Sequence, residues 1–132
     1  MKVLVTGHGG FALGMAEASR MIVGDQELID WLPFEEGTNL SDYQAQIAAS
    51  IEAHGAQGLL ILTDFKGGTP FNVSMLLSQG HPQVAVLAGT NLAMILEAID
   101  QAPTARSVTD LADHLVIIGR QGLLRGILQA RN

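Results

Sequence analysis

Residues 58–72, GLLILTDFKGGTPFN, contain the transition that decides the fold. The apolar run Gly58–Thr63 is typical of a buried parallel strand. After a carboxylate and a pair of glycines, the chain restarts as a helix, for which Thr69 is the predicted N-cap and Pro70 the first helical residue. A glycine turn that leads into a helix exposes backbone N–H groups at the positive end of the helix dipole. Such a turn favours an anion such as phosphate.

A second glycine-rich turn stands near the front of the chain. Lys2–Thr6 is short, apolar and β-branched, which again predicts a buried strand. The turn Gly7–Gly10 follows it, and apolar residues then recur at helical spacing as far as Gly24, a typical helix stop. The first turn contributes a histidine, His8, and the later turn contributes an aspartate, Asp64.

Strand and helix patterns alternate four times along the chain. The remaining predicted strands are Glu27–Phe34 and Gln83–Leu87. Two capping boxes predict further helix starts: Ser41 with Gln44, and Ser107 with Asp110. The alternation favours an α/β fold, a parallel four-stranded sheet with helices on both faces. The length predicts a single domain, residues 1–132.

The order of the strands decides whether the two turns meet. Ligands of open parallel sheets bind beyond the carboxyl ends of the strands, where the strand order reverses. With the expected order 2-1-3-4, that point lies between strands one and three, which precede the two glycine turns. His8 and Asp64 are therefore expected to face each other across one crevice.

The composition narrows the function classes. The 132 residues are 48% apolar, enough for a sizeable core, and contain no cysteine for disulfides or thiolate metal sites. The formal net charge of −6 argues against nucleic acid and anionic membrane surfaces. No apolar run approaches the roughly 18 residues of a spanning helix, and no signal-peptide pattern is present. A cytoplasmic protein is expected.

His8 and Asp64 form the candidate catalytic pair. A neutral histidine attacks a phosphoryl group through one ring nitrogen while the other nitrogen carries the proton. A carboxylate bonded to that N–H fixes the tautomer and favours the imidazolium that forms. The amides of Gly67 and Gly68, with Thr69, are the candidate phosphate-binding groups. This chemistry needs no metal and no other cofactor.

Other interpretations of these residues stay open. A histidine after a strand is more often a turn residue, and an aspartate there is more often a capping residue. The run Gly7–Ala12 also fits the loose dinucleotide fingerprint G-x-G-x-x-A, for which Asp30 and Glu35 are the candidate acidic residues. The remaining histidines lack a comparable setting and are interpreted as structural or exposed: His54, His81 and His114.

At these residues the sequence resembles the A component (EIIA) of the mannose-type family in the bacterial phosphoenolpyruvate-dependent sugar phosphotransferase system. The resemblance is carried by Thr6–Gly9 and by Asp64–Asn72, and it extends to Ala88–Asn91 after the fourth strand. The version GHGGFALG at residues 7–14 is similar to the amino-sugar branches of the family, such as galactosamine. Lys66 departs from the apolar residue that is common in the family.

The resemblance implies a set of partners. His8 would take a phosphoryl group from the carrier HPr and pass it to a histidine of the EIIB component, while membrane components EIIC and EIID import the sugar. Asp64 would orient His8, and Thr69 would contact the phosphoryl group. Family members are homodimers that exchange a C-terminal strand, for which Gly122–Leu128 is the candidate. Because the sequence ends at Asn132, EIIB is expected to be a separate polypeptide.

Two alternative functions remain beside this phosphotransferase role. The first is the phosphoryl-donor subunit of a dihydroxyacetone kinase, which has similar histidine chemistry but fits Asp64–Asn72 less well. The second is a nucleotide-binding or regulatory module without covalent chemistry.

Overall fold

A computed structural model describes residues 1–129, and its elements alternate as the sequence predicts. The four strands are β1 (Lys2–His8), β2 (Ile29–Phe34), β3 (Leu59–Thr63) and β4 (Val84–Leu87). The helices are α1 (Phe11–Val23), α2 (Leu40–His54), α3 (Thr69–Leu77), α4 (Leu92–Gln101) and α5 (Val108–Gln121), with a 3-10 turn at Ala102–Thr104. The last three residues of the predicted domain lie outside the described range.

The four strands form one parallel sheet in the order β2-β1-β3-β4, which confirms the predicted order. β1 lies between β2 and β3, with His8 opposite Phe34 and Thr6 opposite Thr63. The carboxyl ends of β1, β2 and β3 therefore share one edge of the sheet. Within residues 1–129, no helix is long and apolar enough to cross a membrane.

Helices cover both faces of the sheet, as predicted. Val3 and Val5 of β1 point into a core built with α1, α4 and α5, whereas Leu4 points into a second core built with α2 and α3. Alternate residues of a strand face opposite sides, so a strand covered on both faces must be apolar throughout. All five residues of β3 are buried. This burial explains the uninterrupted apolar run in the sequence.

Two predicted helix starts are wrong. α2 begins at Leu40, and its N-cap is Asn39, whose side chain accepts a hydrogen bond from the N–H of Asp42 at 3.1 Å. Asn39 caps as well as Ser41 does and stands two residues earlier, so Ser41 falls inside the helix. By contrast, Ser107 caps α5 as predicted, accepting from the N–H of Asp110 at 3.0 Å.

The start of α3 is the second correction. The carbonyl of Gly68 accepts the first helical hydrogen bond, from the N–H of Asn72 at 2.9 Å, so Gly68 is the N-cap and Thr69 is already helical. Gly67 has a φ of 84°, a conformation that other residues rarely adopt, and this tightens the turn by one residue relative to the prediction. No side chain caps α3.

The C-terminal segment, residues 122–128, extends past α5. The helix ends at Gln121. Residues 123–129 form no helix or strand in the single chain. Four large apolar side chains of the segment are between 71% and 99% exposed: Leu123, Leu124, Ile127 and Leu128.

Candidate functional site

The structure brings His8 and Asp64 into direct contact. His8 is the last residue of β1, and Asp64 follows β3 directly. The ring Nδ1 of His8 lies 2.8 Å from Oδ2 of Asp64, and the backbone N–H of His8 donates to the same oxygen at 2.8 Å. The Asp64 side chain is 14% exposed and the His8 side chain 49% exposed. One mostly buried carboxylate thus holds a half-exposed imidazole at the sheet edge.

This contact assigns the tautomer of His8. An ionised carboxylate can only accept a hydrogen bond, so the proton of the neutral ring is on Nδ1. The other ring nitrogen, Nε2, then carries the lone pair. The same Asp64 oxygen would stabilise the positive charge of the ring if Nε2 formed a new bond. The geometry therefore prepares Nε2 as a nucleophile.

The nucleophilic side of the ring lies against the N-terminus of α3. A Cβ placed on Gly68 would lie 2.6 Å from Cε1 of His8 and 3.3 Å from Nε2, so any side chain at this position would collide with the ring. The turn before α3 is held by Asn72, whose amide donates to the carbonyl of Gly67 at 2.9 Å. The first N–H groups of a helix lack intrahelical partners and attract anions. Of the three candidate phosphate-binding residues, Gly68 therefore lies directly beside the His8 ring.

Three further residues surround the pair, and the sequence did not single them out for the site. Phe34 at the end of β2 packs its ring perpendicular to that of His8, with the ring centroids 5.8 Å apart. Tyr43 of α2 lies behind Phe34, and its hydroxyl is 2.6 Å from Oγ1 of Thr6. The expected strand order could have signalled Phe34, because β2 adjoins β1 and both end at the same edge.

The other histidines lie away from this pair. His114 on α5 pairs with Glu97 on α4. His54 ends α2 and His81 precedes β4, so both lie at the amino edge of the sheet, opposite the edge that carries His8. The structure therefore brings only His8, among the four histidines, next to the turn before α3.

The structure also bears on the dinucleotide fingerprint and on the possibility of a metal site. Of the acidic residues considered for a dinucleotide site, Asp30 pairs with Lys2 at 3.3 Å near the start of β2, away from the carboxyl edge. Glu35 follows β2 and is exposed. Among the residues that the structure describes, no group of three His, Asp or Glu side chains could hold a metal ion.

Tyr43 stays neutral beneath the site. Its side chain is fully buried, and this burial raises the pKa of the hydroxyl to about 12. The negative charge of Asp64 raises this pKa further, whereas the hydrogen bond with Thr6 acts in the opposite direction. The Tyr43 hydroxyl therefore remains a hydrogen-bonding group over the whole physiological range.

We predict that the free energy of unfolding falls as the pH rises from about 10 to about 12, by roughly 2 kcal/mol, because Tyr43 ionises in the unfolded chain first. Denaturant unfolding at about pH 10 and at about pH 12 measures the change in the free energy of unfolding. The Tyr43→Phe variant should lack the part of that change that comes from Tyr43. The chain has one tyrosine, so tyrosinate absorbance reports Tyr43 alone. If Tyr43 in the folded protein titrated near the ordinary tyrosine pKa of about 10, the expected raised pKa would be contradicted.

Comparisons with known proteins identify the family of the chain. The family model EIIA-man, described as PTS system fructose IIA component, matches residues 2–116. The sorbose-specific EIIA component of Klebsiella pneumoniae is 31% identical over 114 residues, which cover 86% of this chain and 83% of that protein. The mannose-specific EIIAB component of Escherichia coli K12 is 29% identical over 125 residues, but the match spans 92% of this chain and only 38% of that longer protein.

The fold is shared as well. The solved mannose/sorbose specific IIA subunit of Enterococcus faecalis superimposes with a TM-score of 0.86 at 35% identity, covering 99% of this chain and 98% of that one. The family match, the relatives and the shared fold lead to one assignment: the chain belongs to the EIIA-man family, the A components of mannose-type phosphotransferase systems.

Proposed function

We propose that this protein is the phosphocarrier of a sugar phosphotransferase system, which accepts a phosphoryl group on Nε2 of His8. One observation carries the proposal: the bond between Nδ1 of His8 and Asp64 leaves Nε2 free and turned towards the N-terminus of α3. Membership of the EIIA-man family supports the role. HPr is the proposed donor and EIIB the proposed acceptor, with EIIC and EIID involved indirectly. The proposed location is the cytoplasm.

The proposed transfer uses two exchanges of a P–N bond. The lone pair on Nε2 of His8 attacks the phosphorus of phospho-HPr, and the P–N bond to HPr breaks with its electron pair returning to the HPr imidazole. The proton on Nδ1 stays between His8 and Asp64, and the Asp64 carboxylate offsets the positive charge that the phosphorylated ring acquires. The second exchange repeats these events with a histidine of EIIB as the nucleophile and His8 as the leaving group.

The turn before α3 is proposed to hold the phosphoryl oxygens. Gly67, Gly68 and Thr69 supply backbone N–H groups, and Thr69 adds a hydroxyl. A charge-assisted hydrogen bond of this kind contributes about 1.5–3 kcal/mol. No side chain caps α3, but the N–H of Gly68 already donates to the carbonyl of Phe65 at 3.1 Å, so an incoming anion would have to share or replace that bond.

The proposed homodimer would cover the C-terminal segment. Beside β4, at the outer edge of the sheet, lies a groove of about 580 Å³ that includes Leu123 of this segment. An unpaired strand edge and exposed apolar side chains both favour association. We propose that residues 122–128 of one copy pair with β4 of the other.

We predict that His8→Ala folds but accepts no phosphate when incubated with phosphoenolpyruvate, enzyme I and HPr. Mass spectrometry of the wild-type protein should place the label on His8, as a phosphoramidate that is labile in acid and stable in base. His54→Ala, His81→Ala and His114→Ala should each remain competent. A label that persists in His8→Ala would disprove the proposed role of His8, whereas a wild-type protein that gains no label would favour a module without this chemistry.

Gly68→Ala tests the approach of α3 to the ring. The added methyl would displace the His8 ring, and a misplacement of about 1 Å can cost about 100-fold in rate. We therefore expect a folded protein that is phosphorylated about 100-fold more slowly. Gly10→Ala is the matched control, because a Cβ there meets no atom within 4 Å. Equal rates in the two variants would contradict the proposed geometry.

Leu124→Lys tests the dimer. Leu124 is 75% exposed in the single chain, and a lysine there should prevent burial against a second copy. Sedimentation velocity at micromolar concentration should show a dimer for the wild type and a monomer for the variant. Met21→Lys, which changes an 80% exposed apolar residue on α1, should remain dimeric. A monomeric wild-type protein would refute this assembly.

A further inference from the structure

We propose that Phe34 is a positioning residue for the transfer step, holding the ring of His8 at the angle from which Nε2 reacts. The inference rests on the proposed function and deepens it. Phe34 contacts His8 directly, at a ring-centroid distance of 5.8 Å and an interplanar angle of 79°. It touches the nucleophile from the β2 side, whereas Asp64 and Gly68 approach from the β3 side.

A positioning contact is needed because His8 is only partly enclosed. Its side chain is 49% exposed, and its one side-chain hydrogen bond, to Asp64, fixes the position of Nδ1. The ring is otherwise attached only through the Cβ–Cγ bond, so small rotations about χ1 and χ2 that keep Nδ1 within reach of Asp64 still change the direction in which Nε2 points. The perpendicular ring of Phe34 restricts these rotations by van der Waals contact.

Phe34 is itself fixed on two sides. Its backbone carbonyl accepts the N–H of Gly9 at 2.8 Å, which ties the end of β2 to the turn after His8. Its ring packs on Tyr43 at a centroid distance of 4.6 Å, with the planes inclined by 53°. Both the backbone and the side chain of Phe34 therefore have a defined position.

Tyr43 connects Phe34 to β1 through a hydrogen bond with Thr6. Its hydroxyl shares a 2.6 Å hydrogen bond with Oγ1 of Thr6, and both side chains are fully buried. Thr6 and His8 are two residues apart on the same strand, so their side chains project from the same face. Three side-chain contacts and the backbone of β1 thus form a closed ring of four residues: Thr6, Tyr43, Phe34 and His8.

Phe34→Leu is the decisive variant, because it keeps apolar volume and removes the aromatic contact. We expect NMR relaxation of the His8 ring carbons to report a more mobile ring, while nitrogen NMR still shows the Nδ1-protonated tautomer that Asp64 fixes. At saturating phospho-HPr, the rate constant for transfer should fall about tenfold, the scale of one lost aromatic pair. The half-saturating concentration should change less than twofold, because the docking surface is retained. Phe34→Tyr, which keeps an aromatic ring, should restore both the signal and the rate.

The matched control is Phe65→Leu, the same substitution on an exposed ring next to Asp64. It should leave the His8 signals and the rate constant unchanged. Phe34→Ile provides the test should Phe34→Leu not fold, since a β-branched residue suits a strand end. Unchanged His8 signals and an unchanged rate in Phe34→Leu would overturn the inference. If the wild type accepted no phosphate, the proposed function would fail, and the NMR signals would still decide the role of Phe34.

Discussion

Two hydrogen bonds to a single oxygen, Oδ2 of Asp64, organise this protein. One comes from the backbone N–H of His8 and fixes the end of β1, and the other comes from Nδ1 and fixes the ring. Both require β1 and β3 to be neighbours in parallel register, so the strand order of the sheet is a condition for the site. The carboxylate thus couples the position of the backbone to the state of the proton that the proposed chemistry uses.

The glycine turn before α3 is also shaped by the position of the His8 ring. Gly68 lacks the side chain that would collide with His8, and it also caps α3 with its backbone carbonyl. Thr69 therefore enters the helix as its first residue instead of capping it, and no side chain caps α3. A threonine cap would have turned its hydroxyl towards the N–H groups of its own helix. The glycine turn is therefore compatible with the proposed anion site, for which a capping side chain would compete.

Local patterns predicted much of this from the sequence. Apolar strand runs, glycine turns and alternating elements were sufficient for a parallel α/β sheet, and together with the expected strand order they placed His8 opposite Asp64. The caps of α2 and α3 were mispredicted because neighbouring residues offered equivalent caps, and turn geometry chose between them. Phe34 and Tyr43 were not recognised as neighbours of the site because their roles come from contacts between β2, α2 and β1, which periodicity does not encode. The C-terminal segment has no regular structure in a single chain, so its pattern remained ambiguous.

The two faces of the sheet differ in what they contribute to the candidate site. Thr6 and His8 share a face with Leu4, and the groups that support them come from α2 and α3 on that side. The core on the opposite face is built with α1, α4 and α5, and it supplies none of the contacts to the His8 ring described above. The groups that hold the ring therefore lie mainly on one side of the sheet. Substitutions in the core formed by α4 and α5 can therefore change the free energy of unfolding while leaving the proposed chemistry in place.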